Sequence, residues 1–192
     1  MIRILVFSGS IRTGSFNTKL AAAAASELAR LDAAVSLISL ADYPMPLYDG
    51  DLEGASGQPE AALKLKRQFC DHQGIFIAGP EYNAGVTPLL KNAIDWVSRV
   101  REPGEGPLAA YHNRVFALGS ASPGGFGGMR SQMATRQVLE LGCGALVIPE
   151  TVAVSAAHQA FDEAGALKDE RVRGALSACC KSLIEKARTV FA

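Results

Sequence analysis

Four polar side chains within eight positions could bind a phosphate group. Ser10, Arg12, Ser15 and Asn17 follow a short apolar segment and precede an alanine-rich one. At the start of a helix, free backbone N–H groups and the helix dipole favour an anion. Arg12 could add charge-assisted hydrogen bonds of about 1.5–3 kcal/mol each. We therefore predict a phosphate-binding loop, and it suits a terminal monophosphate.

The spacing of this loop disfavours two nucleotide-binding motifs. It matches neither the Gly-x-x-x-x-Gly-Lys-[Ser/Thr] pattern of nucleoside triphosphate hydrolases nor the Gly-x-Gly-x-x-Gly dinucleotide fingerprint. The simpler alternative is an ordinary helix N-cap formed by Ser15 or Asn17. That alternative leaves Ser10 and Arg12 without a role.

A second polar segment, Pro80-Glu81-Tyr82-Asn83-Ala84-Gly85-Val86-Thr87-Pro88, joins an apolar strand to a helix. Its prolines stiffen the turn, Asn83 can fix it, and Gly85 lets the backbone approach a ligand closely. Open parallel sheets bind ligands at the carboxyl ends of their strands, where this turn would lie. We interpret it as a surface for a flat aromatic ligand. The alternative is a half-buried Tyr82 beside a plain turn residue.

A third loop, Ser120-Ala121-Ser122-Pro123-Gly124-Gly125-Phe126-Gly127-Gly128, is rich in glycine. Gly125 and Gly127 precede a helix, but Arg130 occupies the place of the third glycine of a dinucleotide fingerprint. The loop also follows the fourth predicted strand rather than the first. It is either a flexible connection or, as its position favours, a wall of a pocket that it forms together with the first two loops.

Apolar segments alternate with helical patterns along the chain. Strands are predicted at 2–7, 35–40, 74–79, 114–119 and 145–149. Helices are predicted from 17 or 18 to 31, at 59–72 and 88–100, from the glycine loop to about 141, and at 169–190. Thr87 and Pro88 have the residue types of a helix N-cap and first turn. The segment 41–58, with two prolines and three glycines, is interpreted as an irregular connection.

This alternation predicts an α/β fold with a parallel sheet covered on both faces. Right-handed crossovers favour the strand order 2-1-3-4-5. Its switch point lies between the first and third strands, which end in the first two polar loops. We therefore expect those loops to form one site.

Composition limits the partners. The 192 residues carry 19 Lys and Arg against 19 Asp and Glu, so no net charge indicates a nucleic acid or an anionic membrane. No apolar run approaches the roughly 20 residues that cross a bilayer. The apolar start is short for a signal peptide and suits a buried strand. We predict one domain over residues 1–192, cytoplasmic, with no nucleic-acid or membrane partner.

Metal, thiol and serine chemistry are disfavoured. The cysteines at 70, 143, 179 and 180 lack Cys-x-x-Cys spacing and are interpreted as reduced, buried thiols. The histidines at 72, 112 and 158 lack metal-site spacing. No Gly-x-Ser-x-Gly elbow of a serine hydrolase occurs.

Three segments together resemble the NAD(P)H-dependent FMN reductase family: Gly9-Ser10-Ile11-Arg12-Thr13-Gly14-Ser15-Phe16-Asn17, Pro80-Glu81-Tyr82-Asn83 and Leu90-Lys91-Asn92-Ala93-Ile94-Asp95-Trp96. Pro46-Leu47-Tyr48 and Phe161-Asp162-Glu163-x-Gly165 add a weaker likeness. This flavodoxin-like family includes quinone, azo-dye and chromate reductases. The resemblance implies a flavodoxin-like three-layer sandwich that binds FMN and uses NADPH or NADH as co-substrate.

The resemblance also implies site residues. The FMN phosphate would be bound by Ser10, Arg12, Ser15, Phe16 and Asn17. The isoalloxazine ring would be lined on one side by Pro80, Glu81, Tyr82, Asn83 and Ala84. Its other edge would be closed by Ser120, Ser122, Gly124 and Gly125.

The chemistry would belong to the cofactor. Hydride would pass from NAD(P)H to flavin N5, and electrons would then pass to a small-molecule acceptor such as a quinone, an azo compound, a metal oxyanion or free flavin. No catalytic protein residue is therefore predicted, and Glu81 is expected to form a structural or interface salt bridge.

The family commonly forms dimers or tetramers, so the resemblance implies a homodimer or homotetramer. Exposure of Trp96, Ile94 or Val97 on the helix at 88–100 would favour such association. The alternative function is a non-enzymatic electron carrier of the same fold. Carriers usually dock their partners through a one-signed surface, and the zero net charge weakens that alternative.

Overall fold

The computed structural model describes residues 1–190, and its centre is a parallel five-stranded sheet. The strands are β1 Arg3–Ser8, β2 Ala34–Ser39, β3 Gly74–Ala78, β4 Glu81–Tyr82, β5 Gly85–Val86, β6 Val115–Ala121 and β7 Leu146–Val154. The sheet has the order β2-β1-β3-β6-β7, while β4 and β5 form a separate antiparallel hairpin. Counting only the sheet strands, this confirms the predicted order 2-1-3-4-5.

Helices cover both faces of the sheet. They are α1 Phe16–Arg30, α2 Gly50–Ser56, α3 Glu60–Asp71, α4 Pro88–Arg99, α5 Met129–Gln137, α6 Ala157–Ala160 and α7 Glu170–Val190. A π-helical turn, Val138–Gly142, extends α5. No helix among residues 1–190 has the length and apolar character needed to cross a membrane.

Alternate residues of each central strand enter two separate cores. In β1, Ile4 and Val6 pack with α1 and α7, whereas Leu5 and Phe7 pack with α3 and α4. Burial on both faces explains why β1 and β3 are continuous apolar runs rather than alternating ones. Together the helices and the sheet form the flavodoxin-like three-layer arrangement.

The start of α4 follows the sequence prediction, and its apolar face is buried. The Thr87 hydroxyl accepts a hydrogen bond from the Leu90 N–H at 3.4 Å, and Pro88 occupies the first turn. Ile94, Trp96 and Val97 are all buried within the chain. The indole Nε1–H of Trp96 donates to the carbonyl of Pro46 at 2.7 Å. The helix therefore does not expose the residues that would have favoured self-association.

The segment 41–58 is more ordered than predicted. It begins within a 3-10 turn, Leu40–Asp42, and contains α2. The Asp49 carboxylate caps α2 by accepting hydrogen bonds from the N–H groups of Asp51 at 2.7 Å and Leu52 at 3.2 Å. Because α2 buries none of its residues, it carries no apolar period that would reveal a helix.

Strand β7 is longer than predicted. It continues to Val154 although Pro149 lies inside it. The pairing with β6 is irregular between Phe116 and Leu118, whose partners are Val147 and Thr151. Pro149 lies opposite this irregularity, where a strand tolerates a residue without an N–H donor.

Candidate functional site

A cleft of about 130 Å³ lies at the carboxyl ends of β1, β3 and β6, and all three predicted loops contribute to it. Its lining is Ser10, Arg12, Ser15, Phe16, Asn17, Pro80, Glu81, Tyr82, Ala121, Ser122 and Pro123. This edge is the switch point of the sheet, where open α/β folds bind ligands. The first loop therefore brings all of its predicted residues into one cleft.

The amino end of α1 is uncapped. Ser15 precedes the helix and is buried, but its side chain forms no capping hydrogen bond. The first turn also contains no acidic residue. The Ser15 hydroxyl and the first backbone N–H groups of α1 can therefore serve an anion in the cleft.

Asn17 clamps the first loop to the third. Its carboxamide donates to the Ala121 carbonyl at 2.8 Å and accepts from the Ala121 N–H at 2.9 Å, and the side chain is buried. These two bonds join residues 104 positions apart and fix α1 against the end of β6. Neither Ser15 nor Asn17 thus acts as a side-chain N-cap, and Asn17 has a positioning role that the sequence did not reveal.

Gly9 and Thr87 hold the first loop against the second. The Thr87 hydroxyl donates to the Gly9 carbonyl at 2.9 Å. A Cβ atom at Gly9 would lie 3.1 Å from Leu90 and 3.2 Å from Pro80, so the side chains of both neighbours would have to give way to a larger residue. Sequence reasoning did not select Gly9 or Thr87 as site residues, although both lie within the segments that it identified.

The second loop is a tight hairpin. Asn83 and Ala84 connect β4 to β5, and both have left-handed backbone angles, with φ of 49° and 63°. Two successive positive φ values are typical of a type I′ turn, which glycine and asparagine prefer. Both residues are exposed and lie outside the lining of the cleft. The alanine is the unusual member, because a left-handed conformation strains a side chain with a Cβ atom.

Glu81 brings an incompletely satisfied carboxylate to the cleft. One of its oxygens pairs with Arg130 of α5, and the other, Oε2, is buried without a hydrogen-bond partner among the described residues. The side chain is only 9% exposed. A buried acceptor without a donor costs about 1–3 kcal/mol, so a ligand N–H that reaches it would be stabilised.

Arg130 extends this contact to the third loop. Its guanidinium is 56% exposed and lies 5.4 Å from the centre of the Phe126 ring. Phe126 itself is 67% exposed. The predicted salt bridge of Glu81 is therefore present within the chain and connects the hairpin to α5 and the glycine loop.

Ser120 supports the third loop from below. Its hydroxyl donates to the Gly127 carbonyl at 2.7 Å and accepts from Gln132 Nε2 at 2.6 Å, and the residue is fully buried. A Cβ atom at Gly128 would lie 2.8 Å from the Ser120 Cβ. The glycines thus allow the loop to fold closely over the sheet, which favours the pocket-wall interpretation over a loose connection.

The remaining predicted residues of this loop differ in position. Ser122 lines the cleft, and its hydroxyl accepts a hydrogen bond from the Gly124 N–H at 3.2 Å. Gly124 and Gly125 are exposed and lie outside the lining. A Cβ atom at Gly125 would meet nothing within 4 Å, so this part of the rim is open.

Cys143 and Cys179 are not placed for nucleophilic chemistry. Desolvation raises the pKa of Cys143 to about 11 and that of Cys179 to about 12. Both side chains are therefore protonated thiols at neutral pH, and neither lines the cleft. Among residues 1–190, no group of three or more His, Cys, Asp or Glu side chains is arranged to hold a metal ion.

The sequence matches the family described as NADPH-dependent FMN reductase over residues 2–159. The chain belongs to this family. It is 39% identical over 174 residues to an NAD(P)H-dependent FMN reductase of Pseudomonas aeruginosa, covering 90% of this chain and 88% of the relative. It is 34% identical over 170 residues to a quinone reductase of Pseudomonas putida, covering 87% and 85% of the two chains.

A solved structure shows the same architecture. The flavoenzyme FerB of Paracoccus denitrificans, an NAD(P)H:(acceptor) oxidoreductase, superposes with a TM-score of 0.78 at 26% identity, covering 98% of both chains. The protein is therefore a flavodoxin-like oxidoreductase of the FMN reductase family. Because these relatives are named as enzymes, enzymatic activity is favoured over the electron-carrier alternative.

The residues present fit FMN, the cofactor of this family. The uncapped start of α1 offers N–H and hydroxyl donors of the kind that a phosphate group requires. The unpartnered Oε2 of Glu81 offers an acceptor for a ring N–H group. The open rim at Gly125 leaves space beside the cleft.

Proposed function

We propose that the protein passes electrons from NADPH or NADH to small-molecule acceptors, namely quinones, azo compounds, metal oxyanions or free flavin. FMN, when bound, would accept a hydride at N5 and return the electrons to the acceptor. The observation that carries the proposal is the uncapped start of α1, which shares one cleft with the unpartnered carboxylate oxygen of Glu81.

The first loop would bind the phosphate of the cofactor. Ser10, Ser15 and the first-turn N–H groups of α1, including those of Phe16 and Asn17, would donate hydrogen bonds to it. The exposed guanidinium of Arg12 makes one long hydrogen bond, at 3.3 Å to the Thr13 carbonyl, so it is available to a phosphate. The carboxamide of Asn17 would hold α1 in place rather than contact the ligand.

The hairpin and the glycine loop would hold the ring. Pro80, Glu81 and Tyr82 would line one side and Ser122 the other. Asn83, Ala84, Gly124 and Gly125 would act through the backbone of these two turns, and the hydroxyl of Ser120 would support the glycine loop. The cleft of about 130 Å³ is smaller than the roughly 300–1,000 Å³ of most ligand pockets, so part of the cofactor would lie at the surface. A nicotinamide and an acceptor could then reach it in turn, within about 3–3.5 Å.

The single-domain assignment, the cellular location and the assembly are parts of the same proposal. Residues 1–192 would form one FMN-binding domain in the cytoplasm, a reducing compartment that suits four free cysteines. Three exposed apolar side chains on the glycine loop and α5, Phe126, Met129 and Met133, support a homodimer or homotetramer, because such groups suit self-association. Light scattering on the FMN-loaded protein tests this, and a monomer would contradict it.

Titration of FMN into flavin-free protein tests the site. We expect saturable binding at one FMN per chain, followed by bleaching of the flavin absorbance on addition of NADPH or NADH. Bound flavin that neither nicotinamide reduces would indicate a carrier, and absence of FMN binding would overturn the proposal. Initial rates with quinone, azo dye and free FMN would then rank the acceptors.

A pair of substitutions tests whether the start of α1 binds the phosphate of FMN. Ser15→Ala should weaken FMN binding about tenfold by removing a buried hydroxyl at the start of α1. Thr18→Ala is the control, because Thr18 is exposed on the same helix and lies outside the cleft. Equal affinities for the two variants would place the phosphate elsewhere.

A further inference from the structure

A second cavity, of about 380 Å³, lies between α1, the start of α7 and the loop that precedes α7. It is larger than the cleft at the strand ends and shares no lining residue with it. Its volume is within the range of small-molecule pockets, roughly 300–1,000 Å³. Nothing in the flavin chemistry uses it.

The alanine run of α1 forms the floor of this cavity. Ala21 and Ala24 are buried in the core, whereas Ala22 and Ala23 face the cavity. Small side chains on the outer face of a helix leave a groove where larger ones would fill the space. The run of five alanines therefore does two things: one face packs on the sheet and the other forms a groove.

The wall of the groove is a preformed turn. The Ala166 N–H donates to the Asp162 side chain at 2.8 Å, and the Asp162 N–H donates to the Ala166 carbonyl at 2.9 Å. Phe161 and Leu167 form an isolated β-bridge that closes this turn. A wall that is already ordered loses little conformational entropy when a ligand binds.

The rim of the groove carries an excess of positive charge. Lys19, Arg30 and Arg173 line it, and Glu27 is the acidic residue among its lining. Glu27 is already paired with Arg30 at 2.7 Å, and that hydrogen bond lowers the pKa of its carboxyl group. Lys19 and Arg30 are 11 residues apart, so about 16 Å of helix separates the two cations. Apolar walls between cations suit a molecule with an apolar body and an acidic end.

We propose that this groove is a binding site for an amphipathic anion, a small molecule with an apolar body and one acidic head group, such as a medium-chain carboxylate. The body would lie on Ala22, Ala23 and Leu176, and the head group would pair with a rim cation. The site is separate from the flavin cleft, so it stands whether or not the proposed function is correct.

Isothermal titration of decanoate into the FMN-loaded protein, below the micellar concentration, tests the site. We expect one saturable decanoate per chain. Decyltrimethylammonium, which has the same chain and the opposite charge, should bind at least tenfold more weakly. Absence of saturable decanoate binding, or equal binding of the cationic amphiphile, would overturn the proposal.

Matched variants locate the binding. Ala22→Trp fills the groove from an exposed position and should weaken decanoate binding at least tenfold, whereas Ala29→Trp, exposed on the same helix but outside the groove, should leave it unchanged. Arg30→Gln, at a side chain that is 65% exposed, should weaken binding about threefold without affecting the fold. A far-UV circular dichroism spectrum and an unfolding midpoint like those of the wild type would show that each variant is folded. Unchanged decanoate affinity in both Ala22→Trp and Arg30→Gln would place the ligand elsewhere.

Discussion

Among the ion-paired side chains of residues 1–190, those of Lys66 and Glu81 are the least exposed, and they differ in how completely their charge is satisfied. Lys66 of α3 has a side chain that is 1% exposed, and its Nζ donates to both carboxylate oxygens of Glu105 at 2.6 Å. Glu102 adds a third oxygen at 3.3 Å. Glu81 is 9% exposed, yet within residues 1–190 only one of its oxygens has a partner, the partly exposed Arg130.

The difference follows the positions of the two pairs. Lys66 connects the surface loop after α4 to the body of the protein. It lies outside the cleft, where an ion pair with all its hydrogen bonds formed contributes to stability. Glu81 lines the cleft, where an acceptor without a donor can be satisfied by a ligand. Incomplete hydrogen bonding therefore distinguishes the candidate binding pair of Glu81 from the structural pair of Lys66, and substitutions in each pair test this difference.

Glu105→Gln should have the largest effect on folding. It leaves the Lys66 ammonium buried with only Glu102 as a charged partner, so we expect the free energy of unfolding to fall by about 2 kcal/mol, below the roughly 3–5 kcal/mol of a fully broken buried pair. FMN affinity should not change. Urea unfolding measures the loss, with Glu60→Gln as control, since the Glu60–Lys64 pair is exposed and should contribute nothing measurable. Equal stability of the two variants would contradict the structural role.

The same pair predicts sensitivity to acid. The hydrogen bond from Lys66 lowers the pKa of Glu105 below its ordinary value of 4.5. The carboxylate therefore contributes stability above about pH 4.5, and this contribution is lost as the pH falls through the lower pKa of the folded state. The stability difference between wild type and Glu105→Gln should shrink below about pH 4.5, as unfolding at several pH values would show. A constant difference across that range would exclude this carboxylate as the cause.

Glu81→Leu should separate binding from folding. Loss of the acceptor should raise the dissociation constant for FMN about tenfold, the worth of one charge-assisted hydrogen bond. The stability of the flavin-free protein should be unchanged or higher, because a buried oxygen without a donor has been removed. Arg130→Gln is the comparison variant, since it leaves the Glu81 carboxylate buried without its cation and should lower stability. Full FMN affinity in Glu81→Leu would make this pair structural, like that of Lys66.

Ala84→Gly tests strain at the tip of the same hairpin. The left-handed conformation of Ala84 costs about 1–2 kcal/mol, whereas glycine adopts it freely but adds entropy to the unfolded chain. We expect a net gain of about 0.5–1 kcal/mol in the free energy of unfolding. Asn83→Gly should gain less, because asparagine tolerates positive φ. A lower stability in Ala84→Gly would show that the turn is not strained.

The sequence was sufficient for the strand order and for the loops that form the cleft. Buried parallel strands are short apolar runs with polar or small residues at their carboxyl ends, and β1, β3 and β6 all have this form. Because such ends meet at one edge of the sheet, Ser15 and Glu81 could be assigned to a common site although they lie far apart in the chain.

Contacts between distant residues were not predictable in this way. The clamp between Asn17 and Ala121 and the bonds of Ser120 depend on where a side chain points after folding, which residue type alone does not specify. The exposed helix α2 has no apolar period, and the irregularity that accommodates Pro149 in β7 has no local sequence signal. Unsatisfied polar atoms, such as the Oε2 of Glu81, likewise emerge only from the folded structure.

Thr135 of α5 provides a second unsatisfied atom and the smallest predicted effect. Its hydroxyl is buried without a partner among the described residues, in a gap too narrow for water beside Gly79 and Ser131. Thr135→Val should therefore raise the free energy of unfolding by about 0.5 kcal/mol, measured in urea, while Ser131→Ala, which removes a donor to the Pro80 carbonyl at 2.8 Å, should lower it.

Together with Glu81→Leu, Thr135→Val tests whether FMN affinity depends on the unsatisfied oxygen that lines the cleft or on any unsatisfied polar atom nearby. Thr135 does not line the cleft, so Thr135→Val should leave the affinity for FMN unchanged. If both variants lose FMN affinity equally, the effect is general loosening of α5 and the contrast between the two ion pairs fails. If only Glu81→Leu loses affinity, the unsatisfied oxygen of Glu81 is the one that a ligand completes.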